Sequence, residues 1–194
     1  DCLLSRGLGD VYKRQEYYLV SKGFIIACVD GRGTGGRSRA YETSVYMQLG
    51  KLETEDQVAG AKYMRTLPYV DGEHIGIYGW SYGGYETLMA MSTSNGTYQA
   101  GVAIAPVTDW RYYDTIYAER FMRTPNENNE GYEQSAPITH AEKLKGDLLI
   151  ISGTADDNVH YLNTLQYSAA LIEAGIQFDT QISVSYTHLR AHET

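Results

Sequence analysis

"HIGIYGWSYGGYETLMAMS", residues 74–92, decides the fold. Its first part, "HIGIYGW" (74–80), is a short apolar run bounded by turn formers, the pattern of a buried strand. In its second part Tyr85, Leu88, Met89 and Ser92 fall at i, i+3, i+4 and i+7, one face of a helix. Between them Gly79-Trp80-Ser81-Tyr82-Gly83 fits the pattern G-x-S-x-G. A strand that turns sharply into a helix needs small residues two before and two after the serine. The turn then lifts the hydroxyl clear of the sheet. Ser81 is the candidate nucleophile. The backbone N–H of Tyr82, aided by the positive end of the helix, is the candidate oxyanion donor. The competing explanation is a glycine-rich strand-helix turn with an incidental serine; the strand before and the helix after favour the elbow.

Working outward, further apolar runs read as buried strands: "GFIIACVD" (23–30), "AGVAIAPV" (100–107), "DLLIISG" (147–153) and, more weakly, "FDTQISV" (178–184). Helical spacing lies between them. "TEDQVAGAKYMRTLP" (54–68) reads as a helix with Thr54 as N-cap and Pro68 just past its end. After Asn158, residues Leu162, Leu165, Ala169 and Ile172 share a face, with Gly175 as C-cap. "RTPNENNEGYEQSAP" (123–137) reads as a polar loop. Strands apolar on both faces and alternating with helices predict an α/β protein with a mostly parallel sheet and flanking helices.

The bulk numbers fit one domain. The chain has 194 residues, 43% of them hydrophobic and 21% charged. A net charge of -8 argues against a nucleic-acid partner. No run is apolar and long enough to span a bilayer, and no signal peptide opens the chain. The cysteines, Cys2 and Cys28, form no disulfide framework, and Cys28, inside an apolar run, is expected to be a buried core thiol. Some of the 18 tyrosines are expected to line a pocket, because the ring is apolar and its hydroxyl polar.

A serine nucleophile needs a base, and in this chain order an acid follows the serine and a histidine follows the acid. "GTADDNVH" (153–160) comes directly after a strand and supplies Asp156 and Asp157, either of which can orient a histidine. The same stretch also reads as a helix start capped by Asp157 or Asn158. His74 and His140 precede the acid, and His160 opens the next helix, so His188 and His192 are left as bases. No histidine pair has zinc-site spacing, and no metal or cofactor is expected. "GRGTGG" (31–36) follows a strand and satisfies the dinucleotide pattern G-x-G-x-x-G. No apolar helical stripe follows it at once, so a plain loop is the preferred reading.

Taken together, "GWSYGGY", "DWRYYDTIYAERFM" and "GTADDNVH", with "DGRGTGGR" and "LGKLETEDQ", resemble the catalytic domain of the dipeptidyl peptidase IV branch of the prolyl oligopeptidase family of serine peptidases. The resemblance runs over about residues 16–183. It implies an α/β-hydrolase fold and hydrolysis of peptide bonds after a penultimate proline or alanine through an acyl-enzyme. It assigns Ser81 as nucleophile, Tyr82 as oxyanion donor and Asp156 as the triad acid. Asn158 matches a polar contact to the substrate. Val107, Trp110, Tyr113, Tyr117 and Val159, with the Tyr82 ring, match the pocket for proline or alanine. Counting from Asp156 through Gly175 and Phe178, the family's histidine falls on His188, although the surrounding "SYTHLRAH" departs from the family's pattern.

Further expectations follow from the resemblance. The family's β-propeller, its first hydrolase strands and the tyrosine that completes the oxyanion hole have no counterpart here; Tyr12, in "DVY", is too close to Ser81 to be assigned that role. "DCLLSRGLGDVYKRQ" (1–15) and "VSYTHLRAHET" (184–194) resemble translated sequencing-adapter segments, so both ends are expected to be non-native around a partial, truncated domain at 16–183. A peptide substrate, a homodimer of the parent enzyme and a periplasmic setting are also implied. The rival functions are another acyl hydrolase of this fold (acylaminoacyl peptidase, oligopeptidase or esterase) and a catalytically silent interaction module. Retention of Ser81 speaks against the silent module.

Overall fold

A computed structural model describes residues 9–184; the structure of His188, His192, Tyr12's side chain and most of both terminal segments lies outside that description. In chain order the elements are α1 (Gly9–Ser21), α2 (Arg39–Thr43), α3 (Lys51–Met64), β1 (Gly76–Trp80), α4 (Tyr82–Thr93), β2 (Ala100–Ile104), α5 (Thr115–Met122), α6 (Asn129–Gln134), β3 (Asp147–Gly153), α7 (Leu162–Glu173) and β4 (Asp179–Ser183). Two 3-10 segments, Trp110–Tyr112 and Pro137–Lys143, lie between β2 and β3.

The four strands form one parallel sheet in the order β1-β2-β3-β4. Each parallel pair requires a crossover, and α4 and α7 supply two of them. The register places Gly79, Ala103 and Ile150 in one row. That face packs on Leu88, Met91, Tyr167 and Leu171, the core beneath the sheet. Its small residues let α4 approach closely. A methyl group on Gly84 would lie 2.7 Å from the carbonyl oxygen of Ile104. The opposite row, Tyr78, Val102 and Leu149, is less buried, and Tyr78 is 42% exposed.

Several sequence expectations need correction. Residues 24–30 are not a strand, because no strand among the described residues pairs with them. They run beside α3, where Gln57 Nε2 donates to the carbonyl of Val29 at 2.9 Å. Phe24 and Ile25 are exposed, and so is Cys28, which is therefore not a core thiol. The helix expected from Thr54 begins at Lys51 behind Gly50 (φ +78°), and Thr54 is instead buried against Glu86. On α7 the face predicted as apolar core points outward: Leu165 and Ile172 are exposed. Asn163, Thr164, Tyr167 and Leu171 are buried in its place. The polar pair is tolerated there because it is bonded. Asn163 Oδ1 accepts from Thr108 N–H at 2.9 Å, and the Thr164 and Ser152 hydroxyls pair at 2.5 Å. The helix's N-cap position is Tyr161, not Asp157 or Asn158, while Gly175 follows the helix at φ +70° as expected of a helix-ending glycine. The segment 123–137 is not all loop, for α6 forms inside it and buries Tyr132.

"GRGTGG" is a loop, and the next helix begins only at Arg39 and has five residues. Arg32 ties the loop to α3. Its backbone N–H donates to Asp56 Oδ2 at 2.7 Å and its guanidinium reaches Asp56 Oδ1 at 2.7 Å. That pairing holds the Asp56 carboxyl below its ordinary value. No helix opens directly after the last glycine of the loop, as the dinucleotide pattern requires.

Candidate active site

Apart from His188 and His192, which lie outside the described residues, the site residues singled out in the sequence gather at the carboxyl ends of the strands, where ligands of parallel α/β sheets bind. Ser81 follows β1, Val107 and Trp110 follow β2, and Asp156, Asn158 and Val159 follow β3. Ser81 has φ 55° and ψ -112°, a conformation that a serine adopts only under constraint. Three contacts impose it. The Ser81 N–H donates to the carbonyl of Ile104 at 2.8 Å, and the Ser81 carbonyl accepts the first helical bond of α4 from Tyr85 N–H at 2.9 Å. The third is the crossing at Gly79, where a methyl group would lie 2.4 Å from the Gly83 carbonyl. This is the strand-turn-helix geometry that G-x-S-x-G predicts.

Asp156 is 4% exposed. Its Oδ1 accepts from the backbone N–H groups of Asn158 and Val159, both at 3.0 Å. Its Oδ2 is buried and has no hydrogen-bond partner among the described residues. The side chain is thus fixed through one oxygen and presents the other. Asp157 is exposed. His160 is exposed too, with Nδ1 accepting from Leu162 N–H at 3.2 Å.

The tyrosine-rich stretch folds into an aromatic box. The 3-10 turn at Trp110 is capped by Asp109, and Asp114 caps α5 by accepting from Tyr117 N–H at 2.8 Å. These caps orient the rings. Trp110 stacks on Tyr117 (centroids 5.6 Å apart), meets Tyr113 edge-on at 6.0 Å and lies 5.7 Å from Tyr82. Val107 and Val159 belong to the same buried cluster. Tyr113 OH donates to Asn158 Oδ1 at 2.9 Å, joining the box to the Asp156 loop. Burial pushes the Tyr117 phenol up to about 12 and raises that of Tyr82 well above its ordinary value, so both keep their protons near neutrality.

The structure adds residues that sequence reasoning gave no role. Tyr85, read only as part of a helix face, packs edge-on against Trp110 at 4.9 Å. Its hydroxyl donates to the Leu49 carbonyl at 2.9 Å. Glu53 accepts from Tyr82 OH at 2.7 Å. Glu53 lies in "LGKLETEDQ", but nothing in that string alone points to Tyr82. Among the described residues there is no group of three His, Cys, Asp or Glu placed to hold a metal ion, and no helix long and apolar enough to cross a membrane.

The chain is similar to known proteins in sequence and in fold. The "Probable dipeptidyl-aminopeptidase B" of Talaromyces marneffei is 46% identical over 178 residues, covering 90% of this chain and 20% of the relative. "Prolyl endopeptidase FAP" of Mus musculus is 44% identical over 165 residues, 83% of this chain and 22% of the relative. The crystal structure of Porphyromonas gingivalis dipeptidyl peptidase 4 superposes with a TM-score of 0.87 at 51% identity, over 92% of this chain and 27% of that one. The chain thus spans about a fifth of the length of the curated relatives it matches. These similarities, together with the parallel sheet and strained elbow, identify the fold as an α/β-hydrolase. A family profile matches residues 11–194, nearly the whole sequence, and on that ground the chain belongs to the prolyl oligopeptidase family.

Proposed function

We propose that this chain is part of the catalytic domain of a serine dipeptidyl peptidase that cleaves after a penultimate proline or alanine. Asp156 carries the reading: it is anchored through Oδ1, and its buried Oδ2 awaits a partner on the strand edge that also holds strained Ser81. An imidazole from His188 would complete that contact, take the Ser81 proton and later return it to the leaving amine. Ser81 Oγ attacks the carbonyl carbon, and the developing oxyanion is met by Tyr82 N–H at the start of α4. The amine leaves, and water then releases the acyl group from Ser81 along the same path.

The aromatic box takes the residue before the scissile bond. A proline ring is flat and has no N–H, so aromatic walls receive it without stranding a donor. The Tyr113–Asn158 hydrogen bond favours the dipeptidyl reading over a general esterase, because it sets a polar group at the end of the box where a substrate amine or carbonyl would pass. A homodimeric enzyme working outside the cytoplasm belongs to the same reading, supported by the resemblance alone.

The test uses the full-length protein that carries this sequence. A fluorophosphonate probe is expected to label Ser81, and a Gly-Pro chromogenic substrate to be hydrolysed. Ser81→Ala is expected to abolish both, and His188→Ala to reduce turnover by at least about 1,000-fold. Labelling without Gly-Pro turnover would move the reading to another acyl hydrolase. Absence of labelling would overturn it, and an unaffected His188→Ala variant would remove His188 from the triad.

A further inference from the structure

We infer that Glu53 is a positioning residue for peptide hydrolysis, acting through Tyr82 to fix the wall of the pocket beside the nucleophile. This rests on the function proposed above and assigns a role to a buried carboxylate which that chemistry does not use.

Tyr82 has two duties in one residue. In the proposed reaction its N–H meets the oxyanion, while its ring stands 5.7 Å from Trp110 and 5.2 Å from Tyr85. A ring held only by packing against other rings can slide along them. The Tyr82 hydroxyl ends that freedom by donating to Glu53 Oε1 at 2.7 Å. Glu53 is 5% exposed, and its Oε2 is buried with no partner among the described residues, so the tyrosine is the one side chain among them that satisfies this carboxyl. The carboxyl's other donors are backbone N–H groups at the start of its own helix, at Gly50 and Glu53, so the bond to Tyr82 is the one that ties it to another element.

The carboxylate is itself held firmly. Glu53 lies in the first turn of α3, which starts at Gly50 with φ +78°. A methyl group there would lie 2.0 Å from Tyr85 OH, and that hydroxyl bonds the carbonyl of Leu49. Tyr85 thus fixes the start of α3, and the start of α3 delivers Glu53 to Tyr82. Behind it, Glu86 of α4 is also buried and accepts from Thr54 Oγ1 at 3.1 Å. The groups facing this pair are Tyr82, Tyr85, Tyr98 and Tyr117, together with Asp56, which is engaged by Arg32.

Tyr82→Phe, Glu53→Leu, Glu53→Gln and the Tyr82→Phe/Glu53→Leu double variant, made in the full-length protein, test this. Tyr82→Phe and Glu53→Leu are each expected to lower kcat/KM for a Gly-Pro chromogenic substrate about tenfold, chiefly through KM. The double variant should fall no further than the lower single variant. Glu53→Gln, which keeps an acceptor, should recover most of the loss. The penalty should be smaller for a Gly-Ala substrate, whose side chain leans less on the wall. A merely structural glutamate would affect both substrates alike and independently of the Tyr82 hydroxyl. Tyr82→Phe removes one oxygen and keeps the ring, so it reports even if Glu53→Leu fails to fold. An active wild type with Tyr82→Phe at wild-type kcat/KM, or fully additive losses, would overturn this inference alone. A wild type that neither takes the fluorophosphonate label nor hydrolyses substrate would overturn the proposed function and this inference with it.

Discussion

Asp156 illustrates how much of a site can reside in one side chain. Two backbone N–H groups fix one of its oxygens, and the other is buried and open. In the proposed triad it would orient a histidine and stabilise the charge that the histidine acquires, so the form of the side chain matters as much as its size. Asp156→Asn in the full-length protein is expected to lower kcat by about 10^4-fold with little change in KM. Steady-state kinetics with a Gly-Pro substrate checks this. A large rise in KM with kcat retained would mean that Asp156 serves binding instead. Ser81, Asp156 and the aromatic residues could be singled out in the sequence because each lies in a compact local string with its own chemistry, and the structure brings them to one end of the sheet. Glu53 was not, because its partner Tyr82 is 29 residues away and the pairing exists only once α3 meets α4.

At the scale of the element, α3 against α4 places two carboxyls, Glu53 and Glu86, in a buried seam lined by Tyr82, Tyr85, Tyr98 and Thr54. Burial, then the neighbouring Glu53, pushes Glu86 well above its ordinary value of 4.5. The unfolded chain releases this proton as pH rises past that value, while the folded chain keeps it. The folded state then binds more protons, so its stability falls as pH rises until the buried carboxyl ionises as well. Glu86→Gln is expected to be more stable than the wild type at pH 8 by roughly 1 kcal/mol. The gap should narrow as pH approaches the ordinary glutamate range, as thermal melts across pH would show; a gap that widens towards acid would refute it. Other elements show why the fold was read only in part. The strands β1 to β3 were legible as short apolar runs with turn formers at their ends, and β4 more weakly. The outward turn of α7 was not, because Asn163 and Thr164 are buried through hydrogen bonds that hydrophobicity does not register. Residues 23–30 have the composition of a strand, but a strand is made by its partner, and the described residues supply none.

Across the whole molecule, large apolar side chains stand outside the core, among them Tyr17 (70% exposed), Phe24 (60%) and Ile25 (50%) near the start of the described residues. Exposed apolar surface of this kind drives association. The 194-residue chain on its own is expected to self-associate at micromolar concentration, and the Phe24→Lys/Ile25→Lys pair to shift it towards monomer. Light scattering after gel filtration checks this, and an unchanged profile would remove the patch as the cause. Assembly also sets an order of events. The backbone of Ser81 is bent by a hydrogen bond to Ile104 in β2, and β2 is extended in turn by the bond from Ala105 N–H to Ile151 in β3. The reactive turn therefore cannot precede the pairing of strands that lie far apart in sequence, and such pairings come late in folding. Reactivity at Ser81 is thus a clock for the completed sheet: in a refolding experiment, probe capture should rise with the last phase of sheet formation and never ahead of it.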